Sequence, residues 1–159
     1  MNAYLINIGD ELLIGQVVNT NASWIASELE KNNIHVARIL TIADDFNDIS
    51  NTLSEALGHA EVVIMTGGLG PTKDDITKTA LCDYFDMQLV MHEPSLANVT
   101  DFFTKRGLQI SAINQMQGLV PDGCEPLLNK VGTAPGMWFE RDGKIVVSLP
   151  GVPFEMQWL

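Results

Sequence analysis

Thr66-Gly67-Gly68-Leu69-Gly70-Pro71-Thr72-Lys73-Asp74-Asp75-Ile76-Thr77 follows the apolar run Val62-Val63-Ile64-Met65 and leads into a stretch whose Ile76, Ala80, Leu81 and Phe85 recur at helical spacing. A buried strand passing through three glycines into a helix start, predicted from about Asp75 to Phe85, is one unit of an open α/β sheet. Such sheets bind ligands beyond the carboxyl ends of their strands. Glycines let the backbone approach an anion and adopt positive φ, so their amides and the helix amino terminus can cradle phosphate. The plain alternative is a tight turn, but a simple turn seldom needs three glycines, a proline and flanking threonines. The stretch is not a P-loop, which requires GxxxxGK followed by Ser or Thr. It is not a dinucleotide fingerprint either, since Gly68-x-Gly70 has no third glycine and follows the third strand.

Working outward, residues 4–8 and 36–42 join 62–66 as short β-rich runs with little alternation, the pattern of parallel strands covered on both faces. Between the first two, Thr20 is placed to cap a helix carrying Ala22, Ile25, Ala26 and Leu29 on one face; Ile49, Leu53, Ala56 and Leu57 mark a second. Pro94 suits the first turn of a further helix with Leu96, Val99 and Phe103 inward and Gly107 as its stop. A short helix is expected over residues 111–117. Asp142-Gly143 between MWFE and KIVVSL predicts a hairpin. The expected fold is one three-layer α/β/α domain over 1–159, its sheet mostly parallel with an antiparallel edge hairpin. PGVPFEMQWL reads as a turn into a helix, expected to continue in a longer protein beyond Leu159.

Composition narrows the function. The 159 residues are 46% hydrophobic and 18% charged, enough to bury a core, and the net charge of −11 excludes wrapping nucleic acid. The first apolar run, AYLINIG, is too short to cross a bilayer and meets Asp10 and Glu11 at once. Cys82 and Cys124 lie in no metal-binding spacing, which fits reduced thiols and a cytoplasmic location. His35, His59 and His92 show no ligand spacing either.

The acidic residues carry the chemistry. A carboxylate about 4 Å from a phosphate charge repels it by roughly 4 kcal/mol at an effective dielectric near 20. A hydrogen bond to a charge returns only about 1.5–3 kcal/mol. Phosphate beside Asp74 and Asp75 therefore calls for a divalent cation, Mg²⁺, Mn²⁺ or Co²⁺, which is commonly held by one or two carboxylates plus substrate phosphates. Asp10 with Glu11 and Asp44 with Asp45 end the first two strands on the same sheet edge. Each alone could be a solvated residue or a helix cap. The expected catalytic and metal-binding set is Asp10, Asp44 and Asp75, with Asp74 and Asp45 as further metal candidates. Substrate contacts are expected from Thr66, Gly67, Gly68, Leu69, Gly70, Pro71, Thr72 and Thr77. The loops Gly132-Thr133-Ala134-Pro135-Gly136 and Pro150-Gly151 are also expected to contribute, although both could be structural turns. Asn114 is a further candidate; it shares a helix face with Gln117, and both could equally be solvated amides.

IGDELLIG, VNTNASWIA, ADD, TGGLGPTKDDIT, NQMQ, NKVGTAPG and SLPGVPFEM, in this order along essentially the whole chain, resemble the CinA (competence/damage-inducible) family in its amino-terminal molybdopterin-binding-like domain. The resemblance implies an ADP-like or pterin nucleotide ligand. Among molybdenum-cofactor biosynthesis relatives it implies ATP- and Mg²⁺-dependent adenylylation of molybdopterin, with the acidic residues matching Asp44 and Asp75 tied to metal and catalysis. For CinA-type proteins it implies ADP-ribose pyrophosphatase activity, self-association into dimers or trimers, and a separate nicotinamide mononucleotide deamidase domain outside this chain. Lys130 stands where the family often has Pro, and Gly118 where it often has Ala. Asp74 stands where adenylyltransferases tend to be basic, which favours the CinA branch. The leading expectation is a metal-dependent phosphoanhydride hydrolase in which the amides of Gly67, Gly68 and Gly70 hold the diphosphate. The alternatives are a molybdopterin adenylyltransferase-like enzyme and a non-catalytic nucleotide- or pterin-binding domain.

Overall fold

The computed structural model of the chain describes residues 1–73 and 75–159; Asp74, named above as a metal candidate, lies outside the described residues. In chain order the elements are β1 (Asn2–Ile8), α1 (Asp10–Leu13), α2 (Thr20–Lys31), β2 (His35–Ile42), α3 (Phe46–His59) and β3 (Val62–Thr66). There follow α4 (Thr77–Phe85), β4 (Leu89–Met91), α5 (Glu93–Thr104), α6 (Ala112–Gln115), a 3₁₀ turn at Met116–Gly118, β5 (Leu119–Pro121), β6 (Glu125–Leu127), β7 (Gly136–Arg141), β8 (Lys144–Leu149) and α7 (Pro153–Trp158).

The main sheet runs β2-β1-β3-β8-β7-β6. Its first four strands are parallel, and β7 and β6 are antiparallel additions. Successive side chains of a strand point to opposite faces, so β1 sends Tyr4, Ile6 and Ile8 into one core and Ala3 and Leu5 into the other. The first core packs Ile49 and Leu53 of α3 and Leu81 and Phe85 of α4 against Met65 and Phe139. The second packs Ala22 and Ile25 of α2 and Met156 of α7 against Ile64 and Leu149. This is the expected three-layer arrangement. The Asp142-Gly143 hairpin also forms as read, with φ of 52° and 73° at the two turn residues matching the right-handed twist of the strands.

Local differences have local causes. The cap of α2 is Asn19, whose side chain accepts from the Ala22 amide, and Thr20 is the first helical residue. Helix α4 starts at Thr77, not Asp75, because Asp75 is engaged with the loop before it. Helix α5 ends at Thr104, and Gly107 supplies φ of 68° in the turn beyond. The short α1 and β6 and the separate β4–β5 ribbon are additions to the expected plan. Edge strand β2 is largely half-exposed, unlike the buried β1 and β3.

Candidate functional site

The register of the parallel strands places Ile8, Ile42, Thr66 and Leu149 at one edge of the sheet. The loops that follow them, together with the turn before β7, enclose a cleft of about 530 Å³, within the usual range of small-molecule sites. Its lining includes Glu11, Asp44, Gly67, Gly68, Leu69, Gly70, Pro71, Asp75, Gln117, Thr133, Pro150, Gly151 and Glu155. A second cavity of about 440 Å³ lies at the other end of the sheet, around Leu57, Phe85, Phe139 and Lys144, and its lining includes none of Asp10, Asp44 and Asp75.

The glycine loop is braced from beneath. Gly67 and Gly68 have φ of 104° and 65°, a region that side chains strain to enter. A Cβ on Gly67 would run into the Ile8 carbonyl, and one on Gly68 into the Thr77 hydroxyl. The Gly67 amide continues the ladder by donating to Leu149 O at 3.1 Å. Asp75 accepts from the Gly70 amide at 2.8 Å, the Thr72 amide at 3.0 Å and the Thr72 hydroxyl at 2.5 Å. Buried Thr77 donates its hydroxyl to Gly67 O at 3.2 Å and its amide to Gly68 O at 3.3 Å.

Several expected roles change as a result. The amides of Gly67 and Gly70 are already paired, so of the four loop amides from Gly67 to Gly70 those of Gly68 and Leu69 are the ones left to an anion among the described residues. Thr72 and Thr77 spend their hydroxyls on the loop, and Thr66 donates its own to Asn7 Oδ1 at 3.1 Å inside the sheet. Asp75 staples the loop, its Oδ1 accepting one of these hydrogen bonds and its Oδ2 two, while it also lines the cleft. Asp45 caps α3, its carboxylate accepting from the amides of Asn47 and Asp48. Asn114 forms a capping box with Ser111 and does not line the cleft; Gln117 does. Gly132, Pro135 and Gly136 are buried behind the lining, which is formed by Thr133 and Ala134. A Cβ on Gly132 would displace the Glu155 carboxylate and the Asn129 amide that pairs with it. Gly151 packs against Gly67, and its carbonyl accepts from Asn21 Nδ2 at 2.8 Å.

The acidic strand ends do meet. Asp10 and Asp44 face each other's backbone, each amide donating to the other's carboxylate at 3.4 Å. Burial pushes the Asp44 carboxyl above its ordinary value of 3.8; the Asp10 amide opposes this, and the charges of Asp10, Glu11 and Asp75 add to it. Glu155, far in sequence from the other acidic residues and brought to the cleft by the fold, is likewise raised by burial, against the pull of the Asn129 amide at 2.5 Å. The described lining thus holds four carboxylates and no Lys, Arg or His. No three His, Cys, Asp or Glu side chains among the described residues are grouped to chelate a metal ion. The donor set therefore fits a hard cation shared between a carboxylate or two and a phosphate ligand, rather than a cage built by protein alone.

Residues 4–158 match the family model described as "Probable molybdopterin binding domain". The chain belongs to this family, in its CinA-like branch. It is 49% identical to a CinA-like protein of Flavobacterium psychrophilum over 163 aligned positions, covering 100% of this chain and 38% of that protein. The chain thus spans less than two-fifths of that relative's length. Among solved structures, a CinA protein of unknown function from Thermoplasma acidophilum superposes with a TM-score of 0.89 at 36% identity, covering 99% of this chain and 92% of that one. The molybdopterin biosynthesis enzyme MoaB of Thermus thermophilus shares the fold at a TM-score of 0.63 and 19% identity, over 98% and 84% of the two chains. No helix among the described residues is long and apolar enough to cross a membrane.

Proposed function

We propose that this CinA-like domain binds a phosphate-bearing nucleotide or pterin in the carboxylate-lined cleft together with a divalent cation, and that it hydrolyses a phosphoanhydride of the ADP-ribose type. The observation that supports this reading is the pairing of two unclaimed amides, Gly68 and Leu69, with a lining that contains carboxylates but no cationic side chain. An anion is invited at one wall and repelled at the next unless positive charge arrives with it.

Asp10 and Asp44 would hold the cation, which supplies charge to offset the diphosphate and acidifies an attacking water. The Gly68 and Leu69 amides bind and orient the phosphate, while Asp75 keeps the loop in the shape that aims them. In the hydrolytic step water oxygen bonds to one phosphorus, the bridging P–O bond breaks with its electron pair leaving on the departing phosphate, and the proton of the water passes to a carboxylate of the cleft. Incubation with ADP-ribose and Mg²⁺, Mn²⁺ or Co²⁺, followed by chromatography, is expected to yield AMP and ribose 5-phosphate. Binding without turnover would replace this reading with the ligand-binding domain. That second reading draws on Asp75, whose carboxylate accepts three hydrogen bonds from the loop. Transfer of AMP to molybdopterin would instead favour the adenylyltransferase.

A further inference from the structure

Four buried side-chain atoms have no hydrogen-bond partner among the described residues: Asn21 Oδ1, Ser50 Oγ, Gln117 Oε1 and Ser148 Oγ. Of these residues, Gln117 is the one that lines the carboxylate cleft. The residue is 4% exposed, and its Oε1 is buried without a partner among the described residues. The backbone carrying it is fixed. The Lys78 ammonium, buried in α4, donates to Gln117 O at 3.1 Å and to Leu119 O at 2.8 Å. Gly118 brings the turn so close to α5 that a Cβ there would lie 2.8 Å from Met91 Sδ and 3.0 Å from Leu96 Cβ. A costly unpaired amide oxygen is therefore carried on a fixed backbone at the wall of the site, an arrangement that a bound partner relieves.

The chemistry of an amide restricts that partner. Phosphate offers acceptors only, and would pair Nε2 while leaving Oε1 orphaned; a cation is drawn to the carboxylates instead. A ring edge with a donor beside an acceptor satisfies both ends at once, as glutamine does with the N6/N7 edge of adenine. Resting on the proposed reading of the cleft as a nucleotide or pterin site, we infer that Gln117 selects the ligand by pairing with the donor–acceptor edge of its nitrogen heterocycle, while the glycine loop holds the phosphates. Gln117 thereby reads the base and takes no part in phosphate binding.

The test compares wild type, Gln117→Met and Gln117→Glu by calorimetry, with ADP-ribose and inorganic pyrophosphate as probes in the presence of Mg²⁺. Gln117→Met, similar in volume and lacking both polar atoms, is expected to weaken ADP-ribose by about ten-fold or more and to leave pyrophosphate affinity within about two-fold. Removing an unsatisfied buried amide is also expected to hold or raise the melting temperature of the ligand-free protein; a merely structural glutamine would lower it. Gln117→Glu, which cannot donate, should lose ADP-ribose at least as severely. Equal ADP-ribose affinity in wild type and Gln117→Met overturns the inference while the reading of the cleft stands. Loss of both probes together in Gln117→Met overturns it as well, since the residue would then serve the whole site. Failure of wild type to bind either probe overturns the reading of the cleft and the inference with it.

Discussion

Asp75 accepts three hydrogen bonds from the loop immediately preceding it, and this decides what its replacement should do. Asp75→Asn keeps one acceptor oxygen and turns the other into a donor facing the Thr72 amide or the Gly70 amide. The expected cost is about 1–3 kcal/mol of stability, with nucleotide affinity falling as the loop loosens; urea denaturation and calorimetry measure the two. Unchanged stability would show that the loop does not depend on the staple. Asp44 should behave oppositely. Its folded-state carboxyl is raised, chiefly by burial, so in the window above 3.8 the folded protein binds more protons than the unfolded chain. Stability contributed by this group therefore falls as pH rises through that window, and the penalty remains above it. Asp44→Asn removes the penalty. In the absence of divalent ions it is expected to be more stable than wild type near neutrality, by no more than about 1 kcal/mol after solvent screening. The difference should vanish in acid below 3.8. Denaturation at the two pH values reads this directly, and a less stable Asp44→Asn at neutrality would contradict it.

Helix α4 links the loop to the residue inferred to read the base. Its first residue, Thr77, ties down Gly67 and Gly68, and one position later Lys78 ties down Gln117 and Leu119. Lys78→Met deletes both of its bonds and leaves two carbonyls without their donor, at an expected cost of about 2–3 kcal/mol. Burial lowers the Lys78 ammonium to about 8 from 10.5, opposed by the nearby Cys124, Asp75 and Cys82. Between those values the unfolded chain binds the extra proton, so wild-type stability should rise relative to Lys78→Met from about pH 8 to pH 10.5. Thermal denaturation across that range checks the sign. Elements of this kind were only partly legible in the sequence. The strands and main helices declared themselves through long apolar patterns, and Asp142-Gly143 through turn chemistry. The β4–β5 ribbon has strands of three residues each, too short for any period to show. Asn114 and Gln117 lie three apart, but α6 stops after Gln115 and tightens into a 3₁₀ turn, so a common helical face never forms. Ser111-x-x-Asn114 and Asp45-x-x-Asp48 each carried a capping signal that explains their fate. Glu155 reaches the cleft through the fold alone, by way of Asn129, 26 residues away.

Across the whole molecule, charge governs what the cleft can hold. The chain carries a net charge of −11, and the cleft concentrates that sign: Glu11, Asp44, Asp75 and Glu155 line it, and Asp10 stands beside Asp44. Each carboxylate about 4 Å from a phosphate charge costs roughly 4 kcal/mol at an effective dielectric near 20, whereas the Gly68 and Leu69 amides together return about 3–6 kcal/mol. Two such repulsions already exceed what the loop can offer a diphosphate, so strong binding requires a cation bridging carboxylate and phosphate. Titration of ADP-ribose with Mg²⁺, Mn²⁺ or Co²⁺ present should therefore show at least about a hundred-fold tighter binding than in excess chelator, which corresponds to about 2.7 kcal/mol. Asp44→Asn should shrink that ratio, because it removes both a repulsion and a ligand for the cation, while Asp45→Asn should leave it unchanged, since Asp45 is turned away to cap α3. Equal affinity with and without chelator would leave the glycine loop as the sole phosphate determinant and would mean that the carboxylates lie farther from the bound phosphate than the shape of the cleft implies.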